Sequence, residues 1–371
     1  MLVALFKLAA LASVGAYAAA YHLAARAQCS ATLSTAHSVA DRLQSGYWNG
    51  GGWGIFWTDA NTIEDFYNLM LADGTTSFDN IDSTTIGQLA RQQNQAAWAA
   101  AINGAWDDAL WVTLALWKVG DYKVTHGQES APYYNSANMV YDMVAAEYDT
   151  SFCGGGVWWN SAHTYKNAIT NELFLYTSAA RYNRWKEQQH LDNAVKTWNW
   201  LLDSGMRNAD GLWNDGITDA CTNNGQTTWT YNQGVIASGL GALYVATGDS
   251  NYLTQAEITL DATIAKKTVN GILKETCDDV SSSSCNNDQA IFKGIWMKHL
   301  QFYLDAAPDR VSKYTSFIGA QESAVVHYAT GSGWTVGNVW YGASQGGSQF
   351  TAQTQTSGLA EHVSAAKYGP C

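Results

Sequence analysis

The amino-acid sequence predicts an all-α protein, an (α/α)6 barrel in which six helical hairpins close into a ring. Two observations lead to this prediction. A Gly/Trp-rich loop, a short cluster of Asp, Asn or Gln, and an apolar stretch with helical periodicity follow one another several times along the chain, which indicates a repeated unit. The apolar stretches begin roughly 47 to 65 residues apart, which is enough for two helices and two loops in each repeat.

An open helical solenoid is the alternative to a closed ring. The polar clusters favour the ring because they always fall at the same end of the helix that follows, so that closure would gather them into one cleft. The chain also has only three prolines in 371 residues, which argues against an all-β fold with many turns.

The helices of the inner ring are expected at six positions in the chain. Their first residues are predicted near Ala60, Asp107, Asn167, Asn232, Asp288 and Ala352. The sixth repeat, which begins at Gly331, is the weakest match. Outer helices are expected between these positions, and in residues 191–206 the apolar side chains share one helical face, made by Leu191, Val195, Trp198 and Leu202.

The first 27 residues are typical of a secretory signal. Lys7 stands before an Ala/Leu-rich run over residues 8–20, and residues 25–27 have the small-x-small form of a cleavage site. A membrane anchor is the alternative, but polar residues interrupt the run and it is shorter than the roughly 20 residues that a membrane span needs. We therefore expect export, a single domain from residue 28 to residue 371, and no membrane attachment once the signal is removed.

Charge and motif content exclude several classes of partner. Lys and Arg number 20 against 32 Asp and Glu, a formal charge of −12, so the chain has no basic stripe that could neutralise a nucleic-acid backbone. The Gly-rich runs precede Trp-rich loops rather than follow a strand, which argues against a nucleotide-binding loop. The eight histidines form no metal-binding motif. We expect no nucleic-acid partner, no cofactor and no metal, and we expect a monomer.

Six cysteines lie beyond the predicted signal, an even number that fits three disulfides in an exported protein. Six cysteines allow 15 connectivities, so the pairing cannot be deduced in general. The one pair that we predict is Cys277 with Cys285, which would close the short loop rich in Asp and Ser between them.

Aromatic residues in the Gly/Trp loops point to a carbohydrate ligand. The chain has 17 tryptophans and 20 tyrosines, and flat rings beside polar groups are suited to stacking against sugar faces. Trp106, Trp158 and Trp229 lie in or next to such loops and are predicted to contact substrate. Trp111 and Trp296 have helical spacing instead and are expected in the core.

One pair of acids lies where glycosidic bond cleavage could use it. Most such reactions need two carboxyl groups, and Asp107 and Asp108 stand together before an apolar helix, whose N-terminus favours negative charge. Helix capping is the alternative explanation for an Asp in this position. Competing acids occur at the matching helix starts, and the sequence does not rank them: Asp59, Glu64, Asp65, Glu172, Asp215 and Asp288.

Four segments together carry a resemblance to a known family. They are WDDALWVTLALW, GGGVWW with the following YKNAITNELFL, the W-x-YNQG motif, and CNNDQAIFKG. In this order and spacing, from about Tyr47 to about His299, the chain resembles glycoside hydrolase family 76, the α-1,6-mannanases of bacteria and fungi. The resemblance implies an (α/α)6 barrel, endo-acting hydrolysis of α-1,6-linked mannose chains with retention of configuration, Asp107 as nucleophile and Asp108 as general acid/base.

The resemblance also implies further substrate-binding residues at the heads of the inner helices. They are Asp59, Asn61, Asn167, Tyr231, Asn232, Gln233, Asp288 and Gln289. Helix capping is a nearly equal alternative for the Asn and Asp residues among them.

The same family includes fungal cell-wall transglycosidases that act on mannose-containing anchor glycans, which is the second functional prediction. Those proteins usually carry a hydrophobic C-terminal anchor signal, whereas this sequence ends in a polar stretch and Cys371. A soluble secreted hydrolase is therefore the favoured expectation. A carbohydrate-binding relative that has lost catalysis is a third possibility, and the presence of both acids argues against it.

Overall fold

The computed structural model of the chain describes residues 28–48, 52, 54 and 56–371. The predicted secretory signal, residues 1–27, lies outside the described residues. The helices, in chain order, are α1 Ser30–Gly46, α2 Phe56–Asp73, α3 Thr85–Gln92, α4 Gln95–Ile102, α5 Trp106–Thr125, α6 Ala131–Ala145, α7 Ala168–Trp185, α8 Gln188–Asp203, α9 Thr230–Thr247, α10 Asn251–Lys266, α11 Phe292–Ala306, α12 Val311–Ala324 and α13 Ala352–Tyr368.

Short elements complete the described part of the chain. Strands β1 Thr268–Val269 and β2 Ile272–Leu273 form a small antiparallel hairpin. Short 3-10 turns occupy Ile81–Ser83, Gln289–Ile291, Pro308–Arg310 and Ser332–Trp334, and one π-helical turn follows α12 at Val325–Ala329.

Six of the helices form a closed inner ring. Each of α2, α5, α7, α9, α11 and α13 packs against the next, and α13 packs against α2. Helix α1 fills the outer position between α13 and α2, and the Cys29–Cys371 disulfide joins the two ends of the described chain. The structure therefore confirms the (α/α)6 barrel over an open solenoid.

The inner helices are buried on nearly all sides, with apolar and small residues packed together and with buried polar side chains that bind one another, such as Asn68 and Gln301. In α9 a Cβ atom at Gly234 would lie 2.8 Å from the Cα of Trp296, and one at Gly241 would lie 3.2 Å from the Cβ of Ala306. Glycine at these two positions lets α9 and α11 approach each other closely. Five of the six helix starts differ from the prediction by one to four residues, and α13 begins at Ala352 as predicted.

The outer layer differs from the prediction in two places. The second outer position holds two short helices, α3 and α4, rather than one. In α8 the predicted apolar face is right for Trp198, which is buried, and for Leu191 and Val195, which pack against the core. It is wrong for Leu202, which is 40% exposed, because Ala194 and Leu201 complete the buried face instead. The helix is rotated so that small Ala194, which gives a weak hydrophobic signal, faces the inner ring.

The two ends of the barrel have different loops. Inner and outer helices alternate, so all inner helices begin at the same end, where the connections are long: residues 146–167, 204–229, 267–291 and 325–351. Four connections at the opposite end are short, residues 126–130, 186–187, 248–250 and 307–310, while the one between α2 and α3, residues 74–84, is longer. At the cleft end only residues 103–105, between α4 and α5, form a short connection within the described chain. The end with long loops therefore carries the cleft, as the position of the polar clusters predicted.

Disulfides bind the long loops. Cys153–Cys221 joins the loop before α7 to the loop before α9, and Cys277–Cys285 closes a turn before α11. The predicted Cys277–Cys285 pair is confirmed. Within the residues that the structure describes, no helix is both long and apolar enough to cross a membrane.

Candidate active site

The acid pair lies in the first turn of α5, at the cleft end of the ring. Its position is fixed from outside the helix, because the N–H of Trp106 donates to the carbonyl of Trp159 at 3.0 Å and the N–H of Ser161 donates to the carbonyl of Gly104 at 2.9 Å. Gly104 has a φ of +74°, and a Cβ there would overlap the side chain of Ser161. Glycine is thus required for the loop before α7 to lie against the start of α5.

The two acids of the pair have unequal hydrogen bonding. The Oδ1 atom of Asp107 accepts the N–H of Asp108 at 3.0 Å, and its Oδ2 atom accepts the indole N–H of Trp159 at 3.0 Å. No hydrogen bond to the Asp108 carboxyl is found in the described part of the chain. Both side chains are partly buried. Hydrogen bonds to a carboxylate favour its ionised form, so this arrangement favours charge on Asp107.

Burial and charge then separate the two protonation equilibria. Burial raises the pKa of Asp107 to about 6, and the hydrogen bonds from Asp108 and Trp159 limit the increase. Burial, with the negative charges of Asp107 and Asp288, raises the pKa of Asp108 to about 8. Between these two values Asp107 is ionised and Asp108 is protonated, which is the pairing that acid-assisted nucleophilic attack needs.

Asp288 is a third acid close to the pair. It precedes α11, which stands opposite α5 in the ring, and its side chain is exposed. The indole N–H of Trp57 donates to its Oδ1 atom at 3.1 Å. Because its charge raises the pKa of both Asp107 and Asp108, Asp288 lies within electrostatic reach of the acid pair.

Aromatic rings from several inner helices cover the floor of the cleft. The ring of Phe292 stacks on Tyr231 with centroids 3.9 Å apart and lies 5.5 Å from Trp229 and 6.4 Å from Trp57. Trp57 in turn lies 6.2 Å from Trp111, which is buried as predicted. Tyr231 and Trp229 were predicted as site residues, and Trp57 and Phe292 were not in the predicted set.

Tyr231 is a predicted polar residue within electrostatic reach of Asp107. Its side chain is partly exposed, and burial together with Asp215, Asp107 and Glu172 raises the pKa of its hydroxyl well above the usual value. The hydroxyl is therefore protonated at every working pH and can donate a hydrogen bond.

Two other predicted site residues, Asn167 and Gln289, bind backbone groups of the protein itself. Asn167 caps α7, its side chain accepting the N–H of Thr170 at 3.3 Å. Gln289 and Asn286 form a reciprocal pair in which each side chain accepts the other's backbone N–H, at 3.1 and 2.9 Å. For these two positions the structure shows the capping role.

Gln233 holds the loop before α9 in place by binding its backbone. It is fully buried, its Oε1 accepts the N–H of Trp213, and its Nε2 donates to the carbonyls of Trp213 and Trp229. The side chain has no donor left for a substrate, which argues against the predicted contact. Asn171 binds both backbone groups of Val157 in the same way, so amides in the first turns of inner helices hold the Gly/Trp loops in place.

The predicted and competing polar residues of α2 also bind other groups of the protein. Asn61 is buried, donates to the carbonyl of Trp57 and accepts the ammonium of Lys298. That ammonium also lies 2.8 Å from Glu64 and 2.9 Å from Asp65. Asp59 is 8% exposed and accepts the N–H of Gly54.

Two predicted or competing polar residues are fully buried beside the cleft floor. Asn232 and Glu172 are both 0% exposed, and neither the amide nor the carboxyl has a hydrogen-bond partner within the described chain. Burial raises the pKa of Glu172 well above the usual value, so it is neutral. Asp215, the remaining competing acid, accepts the hydroxyl of Tyr165 at 2.6 Å.

The adjacent residues Trp158 and Trp159 have different environments. Trp158, the predicted substrate contact, is 7% exposed, donates to Asp149 and stacks on Phe152. Trp159 is 42% exposed and binds Asp107. Successive side chains of an extended segment point in opposite directions, so the sequence could place only one of the two at the acid pair and did not say which. Trp106 is buried beneath the pair.

Side chains with metal-ligand chemistry cluster at two places in the described residues. Cys277 and Cys285, beside Asp278, form a disulfide. Glu322, Glu361 and His362 bind one another between α12 and α13. Glu361 lies nine residues into α13, roughly 14 Å along the helix from the cleft end, so neither group belongs to the acid pair.

Comparison with known proteins places the chain in a family. The family model for glycosyl hydrolase family 76 matches residues 20–368. A putative mannan endo-1,6-α-mannosidase of Schizosaccharomyces pombe is 29% identical over 323 residues, which cover 83% of this chain and 70% of the relative. Mannan endo-1,6-α-mannosidase DFG5 of Candida albicans is 28% identical over 335 residues, covering 82% and 73%.

Solved structures share the fold. An inactive variant of an α-1,6-mannanase from Salegentibacter, with two adjacent aspartates replaced by asparagine and α-1,6-mannotriose bound, matches with a TM-score of 0.73 and 18% identity, covering 90% of this chain and 99% of that one. Dfg5 from Chaetomium thermophilum in complex with glucosamine matches with a TM-score of 0.77 and 18% identity, covering 92% of each chain.

Proposed function

The chain belongs to glycosyl hydrolase family 76, and from this premise we propose that it cleaves internal α-1,6-mannosidic bonds of mannan with retention of configuration. The observation that carries the proposal is the acid pair at the head of α5, whose members differ in hydrogen bonding and in pKa. Its position above a floor of aromatic rings fits a sugar ligand. The names of the fungal relatives and the adjacent aspartates of the Salegentibacter mannanase support the same substrate.

The proposed reaction has two displacements. In the first, the carboxylate of Asp107 attacks the anomeric carbon while Asp108 gives its proton to the departing glycosidic oxygen, so that an ester bond replaces the glycosidic bond. In the second, ionised Asp108 takes a proton from water, and the water oxygen displaces Asp107 from the anomeric carbon. Both acids return to their starting protonation states.

A digest of unbranched α-1,6-mannan tests this proposal. Product length and anomeric configuration are followed over time for the wild type, Asp107→Asn and Asp108→Asn. Asp192→Asn is the matched control, because Asp192 lies exposed on outer helix α8. Short α-configured products from the wild type and the control, and none from the other two variants, are expected. Initial products of inverted configuration, or full activity of Asp107→Asn, would contradict the mechanism.

Transfer to a sugar acceptor is the second candidate function. The ring of Trp159 is exposed at the acid pair, where it provides an aromatic surface on which a sugar acceptor can lie as the second displacement begins. A labelled mannose-containing acceptor added to the same digest separates the two outcomes, since label in longer products shows transfer and its absence shows hydrolysis.

We further propose that the protein acts as a monomer outside the cell after cleavage before Gln28. Three disulfides within the described residues support an oxidising compartment. N-terminal sequencing of protein from the culture medium, together with its mass in solution, tests both statements.

A further inference from the structure

We propose that Trp159 is a positioning residue of the acid pair. Its indole N–H holds Asp107 in the orientation and charge state of the nucleophile, and the open face of its ring contacts the sugar bound there. This inference rests on the proposed function for the reaction, but its central contact can be measured without substrate.

The contact joins two separate hairpins of the barrel. Trp159 belongs to the loop before α7, and its Nε1 donates to the Oδ2 atom of Asp107 at 3.0 Å. Its carbonyl accepts the N–H of Trp106 at 3.0 Å. The same residue therefore fixes both the backbone at the start of α5 and the carboxylate that the start of α5 presents.

The loop that carries Trp159 is rigidly held. The ammonium of Lys166, which is fully buried, donates to the carbonyls of Asp149, Phe152 and Gly155, each at 2.7 Å. Asn171 binds both backbone groups of Val157. Burying an ammonium is costly unless hydrogen bonds replace its hydration, and here the three bonds tie three points of the loop to one nitrogen atom. The loop held in this way places the indole of Trp159 at Asp107.

The edge and the face of the indole have different environments. The edge N–H is used by Asp107, whereas the side chain is 42% exposed and its ring neighbour is Tyr165, in an edge-on contact 6.3 Å away. A sugar whose anomeric carbon lies at Asp107 must pass close to this face. The ring can therefore position substrate and nucleophile relative to each other.

The other acids of the site show what the contact adds. Asp288 accepts an indole N–H from Trp57 at 3.1 Å. Asp108 has no hydrogen-bond donor within the described part of the chain. The acid without a donor is the one assigned the proton, so the indole of Trp159 marks which member of the pair is the nucleophile.

The test compares Trp159→Phe, which keeps a ring and loses the N–H, with Trp117→Phe as control. Trp117 also donates its indole N–H, to Asn138 at 3.1 Å, far down α5 from the acid pair. In the pH profile of kcat/KM on α-1,6-mannotriose, the midpoint of the acidic limb should move upward by about one pH unit in Trp159→Phe, because ionised Asp107 loses a hydrogen bond. Trp117→Phe should leave both limbs unchanged. A uniform loss of kcat at every pH, with the acidic limb in place, would overturn the positioning role.

Replacing the ring separately tests the sugar contact. Trp159→Ala should raise KM for mannotriose about tenfold beyond Trp159→Phe, because only the alanine variant loses the aromatic face. Equal KM values for the two variants would overturn this part of the proposal.

A substrate-free readout separates this inference from the proposed function. In protein with 15N-labelled tryptophan, the indole resonance missing from Trp159→Phe identifies Trp159. Its position should titrate between pH 4 and pH 9 in the wild type and in Asp108→Asn, and lose that titration in the double variant Asp107→Asn, Asp108→Asn, so that the remaining titration is that of Asp107. If the wild type does not cleave mannan but this resonance titrates, the function fails and the contact stands. If mannan is cleaved and the resonance does not titrate, the inference about Trp159 fails alone.

Discussion

Two pairs of adjacent acids lie in the inner ring, and their surroundings differ. Glu64 and Asp65 lie in the middle of α2, are 2% exposed each and share the ammonium of Lys298. Asp107 and Asp108 lie in the first turn of α5, are partly exposed, and have no Lys or Arg ion-pair partner in the described residues. Similar dipeptides therefore have an internal ion pair in one place and a partly exposed position at the cleft end in the other, and only the second fits the proposed chemistry.

The difference lies in how each pair manages its charge. In the α2 pair burial raises the pKa of Asp65 to about 7, and the ammonium of Lys298, which lies against both acids, limits the increase. The α5 pair has no cation, so burial and mutual repulsion keep one proton on the pair. General acid catalysis requires a proton that can be transferred to the glycosidic oxygen. The α5 pair can supply such a proton, whereas the acids of the α2 pair are ion-paired with Lys298.

The largest expected effect is on catalytic activity, which is proposed to depend on the α5 pair. Asp107→Asn removes the carboxylate proposed as the nucleophile, so kcat/KM on mannan should fall by about 10³-fold or more, while the melting temperature should stay within a few degrees of the wild type. Steady-state kinetics and thermal unfolding measure the two quantities. A tenfold loss or less would remove Asp107 from the nucleophile role.

The second effect concerns stability at the other pair. Lys298→Met leaves two buried carboxyl groups without their cation and should lower the free energy of unfolding by about 3 kcal/mol. The triple variant Glu64→Gln, Asp65→Asn, Lys298→Met should recover most of that loss, because no uncompensated charge remains. Chemical denaturation of both variants measures this. Equal instability of the two would show that packing, and not charge, sets the cost.

The third effect is the pH dependence of the α5 pair. The proposed mechanism requires ionised Asp107 and protonated Asp108, so kcat/KM should fall below about pH 6 and above about pH 8. Both pKa values are raised in the folded state, so the folded protein holds more protons than the unfolded chain, and the pair's contribution to stability is lost as pH rises from about 4 to about 8.

The double variant Asp107→Asn, Asp108→Asn isolates this contribution. Its stability relative to the wild type should increase as pH rises through that window, and thermal unfolding at pH 5 and pH 8 measures the change. A difference that is the same at both pH values would contradict the assigned pKa shifts.

The barrel could be predicted because its signal is local and repeated. The Gly/Trp loop, polar cluster and apolar helix occur within about 25 residues of one another in each repeat. The division of the second outer position was not foreseen, although its cause is visible in the chain. Gln93 adopts a left-handed conformation with a φ of 48° and Asn94 caps the next helix, so the helix stops and restarts.

Individual members of the candidate site could be predicted from local motifs, but the way they act on one another could not. Asp107 and Asp108 were selected because they adjoin each other, and Asp288 was selected from its own motif, whereas the effect of Asp288 on the pKa of Asp108 depends on a convergence across the ring that no local pattern encodes. Phe292 was missed for a similar reason, since it is one apolar residue in an apolar helix until Tyr231 and Trp229 pack on it.

The smallest expected effect tests that convergence. Asp288→Asn keeps an oxygen that can accept the indole N–H of Trp57 and removes the charge that raises the pKa of Asp108. The basic limb of kcat/KM should move downward by roughly half a pH unit, and the shift should shrink in 1 M salt because Asp288 is exposed and its field is screened. Asp192→Asn on α8 should show no shift. A downward shift of the same size at high salt would mean that the substitution acts through contacts rather than charge.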